Sequence, residues 1–292
     1  MLSYIEGLGI DKINIVVSTH PHEDHIGGLI NVLNSFKVDN IIDSGASHTT
    51  STYKNYLKAI KANNINFVNW SLGQEFEIDS GIKFKILGPA TKSSSDLNNS
   101  SIVIKLAFND VSFLFEGDAQ NSEENQILSS GFDLKSDILK VGHHGSSSSS
   151  SPSFLNAVDP EIAVISCGKG NSYGHPTEQT LANLTSIGAA IYRTDITGTI
   201  VIQCDGSTYN VLLGSPFVYT QEETTQSVET QDTSGQQQTQ SSGAYVGSIN
   251  SDVFHYPTCS YVNSIYPENM IWFSSREDAI SKGYRPCKRC KP

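Results

Sequence analysis

The stretch from residue 18 to residue 28 decides the fold, and it reads Ser18-Thr19-His20-Pro21-His22-Glu23-Asp24-His25-Ile26-Gly27-Gly28. It follows an apolar run, residues 13–17, that predicts a buried strand. A strand that ends in a tight loop can direct His20, His22, Asp24 and His25 at one point. Imidazole nitrogens and carboxylate oxygens suit zinc, manganese or iron. The stretch therefore predicts a metal site at a strand end, with the two glycines freeing the backbone to turn into a helix.

The histidines of this chain are concentrated in a few places. Six of the eight lie in three short glycine-containing segments: the first stretch, Gly142-His143-His144-Gly145 and Gly174-His175-Pro176. A fourth motif, Phe115-Glu116-Gly117-Asp118, precedes the second of these segments. The other two histidines are His48, interpreted as a solvated loop residue or a substrate contact, and His255 in a cysteine cluster. This concentration argues against a polar loop that is rich in histidine by chance.

Taken in order, these four motifs resemble the hydrolase domain of the ComEC competence proteins, a branch of the metallo-β-lactamase superfamily. The resemblance covers residues 1–215 and implies an α/β fold. In that fold, a four-layer αββα sandwich, two β-sheets pack face to face with helices outside. The strand and helix patterns along the chain are consistent with it. Family members usually begin with additional strands, so we expect this chain to be N-terminally truncated.

The resemblance also implies a set of metal ligands. For a pair of zinc or manganese ions it implies His20 and His22 on the first ion, Asp24, His25 and His143 on the second, and Asp118 bridging both. Asp24 and Asp118 would in addition take part in catalysis. His144 is the alternative to His143, and it would otherwise orient a ligand or a phosphate group.

One position departs from the wider superfamily. Asn98 occupies the slot of the third histidine on the first metal, as in the ComEC branch. An amide is a weak ligand, so the first site should hold its ion loosely, and a one-metal enzyme is an alternative. The departure also argues against β-lactam or thioester hydrolysis, because enzymes with those activities generally keep the histidine.

Uncharged hydrogen-bond donors near the histidines suit phosphate oxygens. They include a serine run, residues 146–151, for which a flexible low-complexity loop is the alternative interpretation. The predicted substrate or phosphate contacts are Asn98, Ser101, His144, Ser146, Asn171 and Tyr173. His175 is predicted to donate a hydrogen bond to the scissile phosphate or to protonate the leaving oxygen, with a structural turn residue as the alternative.

These expectations favour a metal-dependent phosphodiesterase or nuclease that uses a metal-activated hydroxide on DNA. One alternative is hydrolysis of a small ester, a lactone or a cyclic nucleotide, and another is a non-catalytic protein that binds nucleic acid or a surface. The net charge of −11 argues against bulk electrostatic binding of nucleic acid. The chain contains no apolar run of about 18 residues, so no transmembrane segment is predicted.

Residues 216–245 are rich in Gln, Thr and Ser and almost devoid of aliphatic side chains. Such a segment cannot bury enough apolar surface to offset the entropy of ordering, so a flexible linker is predicted. Linkers of this composition favour an extracellular or cell-surface location, with a cytoplasmic location as the alternative.

Residues 246–292 are predicted to form a small module held together by a structural zinc ion. His255, Cys259, Cys287 and Cys290 have zinc-ligand spacing, H-x3-C followed by C-x2-C. A disulfide between Cys287 and Cys290 is the alternative. The segment resembles the metal-binding domain of the Ada DNA-repair proteins. His255 stands where that family has its first cysteine, which favours a structural site over methyl-acceptor chemistry.

The module is also predicted to carry a basic cluster that either contacts phosphates or is merely solvated. Its members are Lys282, Arg285, Lys288, Arg289 and Lys291.

Overall fold

The structure, a computed structural model, describes residues 2–90, 96–213, 244–248, 251–259, 261–262, 265 and 270–292. The chain divides into two compact units, Met1–Phe217 and Val218–Pro292. Almost all of the predicted linker, residues 216–245, lies outside the described residues. Within the described ranges, no helix is both long enough and apolar enough to cross a membrane.

Strands and helices alternate along the first unit. Its helices are α1 (Leu2–Gly7), α2 (Glu23–Ser35), α3 (Ser51–Ala62), α4 (Asn121–Ser129), α5 (Pro152–Val158), α6 (Glu178–Ser186) and α7 (Thr194–Thr197). Its strands are β1 (Lys12–Ser18), β2 (Lys37–Asp43), β3 (Asn66–Phe67), β4 (Glu75–Asp79), β5 (Ile82–Gly88), β6 (Val103–Phe108), β7 (Val111–Phe115), β8 (Ile138–Lys140), β9 (Ile162–Ile165), β10 (Ala190–Arg193), β11 (Ile200–Cys204) and β12 (Tyr209–Leu213). Short 3-10 helices span Asn98–Ser100 and Gly142–Gly145.

Two sheets form the centre of this unit. Strands β1, β2 and β3 pair in parallel in that order. The larger sheet has the order β10-β9-β8-β7-β6-β5-β4. Its strands are antiparallel from β4 to β7 and parallel from β7 to β10. Strands β11 and β12 form a separate antiparallel pair.

The alternation of side chains along β1 explains how the layers are stacked. Ile15 and Val17 point toward the larger sheet and pack in one cluster with Phe84 of β5. Val16 points the opposite way and packs with Tyr56 of α3. The first sheet therefore has the second sheet on one face and helices on the other.

The far face of the larger sheet is covered by helices as well. Leu114 of β7 and Leu139 of β8 are fully buried in a cluster with Ile127 of α4, Phe154 of α5 and Leu184 of α6. This arrangement completes a helix–sheet–sheet–helix stack. The predicted four-layer αββα fold is confirmed.

Helix α2 begins earlier than the sequence predicts. It starts at Glu23, and its N-cap, His22, has an extended backbone with φ −72° and ψ 151°. Asp24 therefore lies in the first helical turn, where a carboxylate is favoured by the helix dipole. Gly27 and Gly28 lie inside the helix, so the expectation that they form the turn into it is wrong.

Strands β7, β8 and β9 are parallel neighbours, so their carboxyl ends lie at one edge of the larger sheet. The segments that follow them carry Asp118, His143 and His144, and the loop from residue 166 to 177. The end of β1 is tied to the same edge, because the amide of Ile102 donates to the carbonyl of Thr19 at 2.9 Å. The topology thus gathers four distant chain segments at one place.

The second unit is a small sheet with one described helix. Its strands β13 (Tyr245–Ser248), β14 (Val253–His255), β15 (Met270–Phe273) and β16 (Arg285–Pro286) pair in the order β15-β13-β14-β16, and helix α8 spans Arg276–Ser281. Phe254 and Phe273 are fully buried and pack together with Ala279 of α8.

Candidate metal centres

Asp118 lies at the centre of the histidine cluster in the first unit. Its Oδ2 is 3.2 Å from Nε2 of His25, 3.7 Å from those of His20 and His144, and 3.8 Å from that of His143. Its side chain is only 5% exposed. One buried carboxylate oxygen therefore faces four imidazole nitrogens, the position that the sequence predicts for a bridging ligand.

His20 and His22 form one side of the cluster. Nε2 of His20 lies 2.9 Å from Nδ1 of His22, and the His20 ring is completely buried. Two nitrogen ligands, each about 2.0–2.1 Å from one ion, would be separated by a similar distance. The pair fits the predicted first metal position.

Asp24, His25, Asp118 and His144 form the other side, with one ligand atom from each lying within 4.8 Å of all the others. His144 is in this group through its Nε2, which is 3.2 Å from Oδ2 of Asp24. The sequence ranked His143 ahead of His144 here, and the geometry favours His144. Both residues have a positive φ, 44° and 56°, so the backbone makes a tight turn at this point.

The second nitrogen of most of these rings is held by a neighbouring group. Nδ1 of His144 donates to the carbonyl oxygen of Ser166 at 2.7 Å, which places its lone pair on Nε2. Nδ1 of His25 lies 3.1 Å from Oγ1 of Thr19. Both Nε2 atoms are buried, and each lies 3.2 Å from a carboxylate oxygen, that of His25 from Asp118 and that of His144 from Asp24. Oriented imidazoles whose buried nitrogens face carboxylates form a donor set that fits a divalent metal.

The second unit contains a separate cluster of His255, Cys259, Cys287 and Cys290. One ligand atom from each lies within 4.8 Å of all the others. Nδ1 of His255 is buried without a hydrogen-bond partner. Cys259 and Cys287 belong to the small core, where they pack with Val246. One imidazole and three thiols in this arrangement fit a closed tetrahedral zinc site.

Both clusters are matched by known families. Residues 1–169, more than half of the chain, match the metallo-beta-lactamase superfamily. The chain belongs to the metallo-beta-lactamase superfamily. Residues 231–292 match the metal binding domain of Ada, which confirms the second predicted resemblance.

Two curated relatives confirm the resemblance to the ComEC branch of this superfamily. ComE operon protein 3 of Bacillus subtilis (strain 168) is 28% identical over 230 residues, which cover 79% of this chain and 29% of the relative. Competence protein ComA of Neisseria gonorrhoeae is 38% identical over 121 residues, 41% of this chain and 18% of the relative. The chain thus spans less than a third of the length of either relative.

A solved structure with a similar fold is CmlA, a diiron beta-hydroxylase from Streptomyces venezuelae. It has a TM-score of 0.45 and 11% sequence identity, and the alignment covers 70% of this chain and 45% of that one.

The electrostatics of the metallo-beta-lactamase cluster favour the protonation states that bind metals. Burial, reinforced by the neighbouring His25, lowers the pKa of His20 to about 3, so this ring is neutral. A hydrogen bond from His144 lowers the pKa of Asp24 to about 2. Burial alone would raise the pKa of Asp118, but the hydrogen bond and charge of His25 outweigh it and lower that pKa. Metals bind neutral imidazoles and ionised carboxylates, so His20, Asp24 and Asp118 are in their ligand forms, whereas the hydrogen bond with Asp24 raises the pKa of His144.

Ser101 has a different position from the one predicted. Its side chain is completely buried, and its Oγ accepts the amide hydrogen of Asp118 at 2.9 Å and lies 3.2 Å from Nδ1 of His20. It therefore cannot contact a phosphate, and it orients two of the metal-cluster residues. The predicted substrate contact at Ser101 is wrong because this hydroxyl is occupied inside the protein.

The serine run is likewise built into the fold. Oγ of Ser149 donates to the carbonyl of Ala119 at 2.6 Å, and Oγ of Ser151 caps α5. Ser146 is buried and its Oγ lies 3.0 Å from Oγ of Ser148, which in turn lies 3.2 Å from Nδ1 of His143. Ser146 is thus linked through Ser148 to His143, and its contact with phosphate stays a prediction.

Sequence reasoning missed a buried pair of carboxyl groups behind the cluster. Glu116 accepts the amide hydrogen of Gly142 at 2.9 Å, and Glu124 accepts that of Ser151 at 3.0 Å. Both glutamates are completely buried. Burial, and the adjacent Glu124, raise the pKa of Glu116 well above its ordinary value. The available signal was the position of Glu116 inside a predicted metal motif, directly after a buried strand.

Gly142 and Gly145 are required by close packing in this region. A Cβ at Gly142 would collide with the Glu116 carboxylate, and one at Gly145, where φ is +86°, would lie 2.6 Å from Cβ of Pro176. Any other residue would displace the His143–His144 turn.

The loop after β9 carries three further predicted residues. Asn171 uses both ends of its amide on His175: its Oδ1 accepts the amide hydrogen at 3.0 Å and its Nδ2 donates to the carbonyl at 2.6 Å. His175 lies with its ring centroid 5.8 Å from that of His143, and burial lowers its pKa. Asn171 therefore positions this loop, which replaces its predicted contact with phosphate, whereas Tyr173 is 80% exposed and accessible to substrate.

Two other residues named from the sequence are Asn98 and His48. Oδ1 of Asn98 is buried without a hydrogen-bond partner, which suits a weak ligand or a substrate contact. The ring of His48 lies edge-on to that of His22, with 6.1 Å between centroids, and its Nδ1 accepts from the amide of Thr50 at 3.2 Å. The half-buried His48 thus borders the site.

The remaining predictions concern the second unit. Cys259, Cys287 and Cys290 are all described and none forms a disulfide, so the alternative Cys287–Cys290 pairing is not adopted. Lys282 pairs with Asp278 at 3.0 Å and Arg285 with Asp252 at 3.0 Å. Two members of the predicted basic cluster are therefore already neutralised, which weakens the expectation that it contacts phosphates.

Proposed function

We propose that this metallo-beta-lactamase-fold hydrolase is a metal-dependent phosphodiesterase that cleaves single-stranded DNA. The observation that supports it most directly is the position of Asp118, whose buried Oδ2 faces histidines from both halves of the cluster at 3.2–3.8 Å. A shared carboxylate of this kind suits two neighbouring divalent ions. Zinc or manganese ions held there would polarise a phosphoryl oxygen and supply a nucleophile from water near neutral pH.

The residues around that centre would have different roles in catalysis. His20 and His22 would hold one ion, and Asp24, His25 and His144 the other. Ser101 and Thr19 keep the rings oriented, which preserves the geometry between turnovers. His175 has a lowered pKa and is therefore neutral at pH 7, so its ring can donate one hydrogen bond to a substrate oxygen.

The choice of phosphodiester and of DNA rests on two supports. Asn98 stands in the slot of a third histidine, which argues against β-lactam and thioester hydrolysis. The relatives include proteins titled for competence and for the ComE operon. The composition of residues 216–245 supports an extracellular or cell-surface location for such an enzyme, as a further part of this proposal.

A second candidate, hydrolysis of a small phosphodiester or cyclic nucleotide, is favoured by the charge of the first unit. Residues 1–215 carry 13 Lys and Arg against 22 Asp and Glu, a net charge of −9. Such a surface repels a polyanion more than a small substrate.

The test is cleavage of a labelled single-stranded oligonucleotide with manganese by the purified chain, together with analysis of its metal content. Wild type should cleave, and the variants His22→Ala and Asp118→Ala should lose at least about 100-fold in rate. Glu77→Gln, at an exposed residue of β4, is the matched control and should match wild type. An intact oligonucleotide alongside hydrolysed cyclic nucleotide would establish the second candidate, and inactivity on both would overturn the hydrolase proposal.

A further inference from the structure

A line of aromatic rings crosses the metal cluster from one side to the other. Successive ring centroids are 4.0–6.3 Å apart in the order His48, His22, His20, His25, His144, His143, His175 and Tyr173. Seven of the eight histidines of the chain belong to it. The metal-cluster residues occupy its middle, and Tyr173 is the end that projects into solvent.

Tyr173 differs from the other rings in its exposure. At 80% it has the highest exposure among the large apolar and aromatic side chains of the described residues. Its ring lies nearly parallel to that of His175, with an interplanar angle of 22° and 5.9 Å between centroids. One face of the phenol ring is thus directed at His175, and the rest of the ring is open.

The backbone on either side of Tyr173 is held by hydrogen bonds, so the ring projects from a fixed part of the loop. Both amide ends of Asn171 bind the main chain of His175, and the amide of Asn171 donates to the carbonyl of Gly168 at 3.2 Å. Holding a large aromatic ring in water has no benefit for folding, since its apolar surface stays exposed. An exposed ring on a fixed backbone, with one face toward His175, is suited to receive another planar group.

We propose that Tyr173 is a stacking platform for an unpaired nucleobase next to the scissile phosphate. This inference rests on the proposed function and extends it, because it names a determinant of substrate class. Stacking accepts any base, since every base has a π-face, and it requires the base to be unpaired. Stacking also supplies binding energy that needs no positive charge, and the first unit is acidic.

This role differs from a contact between the tyrosine hydroxyl and a phosphate. Stacking needs the ring and not the hydroxyl, so Tyr173→Phe should behave as wild type, whereas Tyr173→Leu removes the platform. For cleavage of a single-stranded oligonucleotide, Tyr173→Leu should raise KM by at least about fivefold. Ser172→Ala, at the exposed neighbouring residue, controls for disturbance of the loop.

The decisive comparison uses oligonucleotides in which one abasic position is moved along the strand. With wild type, one or two positions beside the cut should raise KM when the base is missing, and Tyr173→Leu should lose this dependence. Equal KM values for wild type and Tyr173→Leu would overturn the proposal, and so would a defect in Tyr173→Phe as large as that in Tyr173→Leu.

A binding measurement separates this proposal from the proposed function. Fluorescence anisotropy of the same oligonucleotides is measured with Asp118→Asn alone and combined with Tyr173→Leu or Tyr173→Phe. If wild type does not cleave DNA but the ring and the base still contribute to binding, the platform stands and the nuclease proposal fails. If wild type cleaves and neither the ring nor the base affects KM or binding, the platform fails alone.

Discussion

The two metal-ligating clusters of this chain are built in opposite ways. In the metallo-beta-lactamase unit the ligands come from segments that are far apart in sequence and meet at a sheet edge, and the packed core lies elsewhere. In the Ada-like unit, Cys259 and Cys287 are themselves core residues, packed with Val246 and Val262. The first cluster is placed by a fold, whereas the second holds a fold together.

The ligand side chains of the two clusters also differ in their exposure to solvent. In the first unit the side chain of Asp24 is 62% exposed beside the buried Asp118, so the cluster is open on one side. In the second unit His255, Cys259 and Cys287 are all buried. An open site admits a substrate, and a closed one serves stability. We therefore expect changes to the ligands to have different consequences in the two units.

The largest effect is expected in the Ada-like unit. Cys287→Ser, or treatment with a strong chelator, should unfold this unit, because metal binding worth about 10–16 kcal/mol is folding free energy in small zinc modules. Limited proteolysis should then digest residues 244–292 and leave the first unit intact. Cys204→Ser, on β11 outside the cluster, is the control. If the Ada-like unit remains resistant to proteolysis after loss of Cys287, its metal cluster does not hold the unit folded.

The next effect distinguishes two adjacent residues of the open site. His144→Ala should weaken manganese binding by more than about 100-fold, since its Nε2 lies in the ligand group, and His143→Ala should weaken it less. Isothermal titration of both variants measures this, and thermal unfolding should show that both remain folded. The reverse order would restore His143 as the ligand.

A smaller effect is expected from a residue that touches no metal. Ser101→Ala removes the hydrogen bonds to Asp118 and His20, and should lower metal affinity or activity about 10- to 100-fold. Ser147→Ala, at an exposed position of the serine run, should change neither. Equal behaviour of the two variants would show that the buried hydroxyl has no orienting role.

The smallest effect concerns the dependence of stability on pH. Because burial and Glu124 raise the pKa of Glu116, the folded state keeps a proton there that the unfolded state releases near the ordinary glutamate pKa. This contribution is therefore complete below that pH and is lost as the pH rises. Glu116→Gln should flatten the decrease in melting temperature as the pH rises above the ordinary glutamate pKa. Glu77→Gln, an exposed control, should keep the wild-type slope, and an unchanged slope in Glu116→Gln would contradict the assignment.

The sequence predicted the parts of the site that are set by composition and by strand ends. The His20–His25 stretch, Asp118 and the His143–His144 pair each follow an apolar strand, and the parallel order of β7, β8 and β9 brings them together. The αββα layers follow in the same way from side-chain alternation along β1.

The parts that the sequence could not predict depend on local backbone geometry. His143 and His144 lie in a turn with two consecutive positive φ angles, and nothing in their spacing indicates which of the two rings joins the ligand group. Polar residues near the site suit phosphate by type, yet Ser101, Ser146 and Asn171 use their hydrogen bonds inside the protein. Burial separates these supporting residues from Tyr173, and burial is a property of the folded chain.

The hydroxyl of Thr19 links the two halves of the histidine cluster. Its Oγ1 is 3.3 Å from Nδ1 of His20 and 3.1 Å from Nδ1 of His25. A hydroxyl carries a single proton, so Thr19 can donate to only one of the two rings. If the Nδ1 of one ring lacks a proton and accepts from Thr19, the Nδ1 of the other ring must carry a proton to bond with the same oxygen. A single oxygen atom thereby relates the protonation of His20 to that of His25.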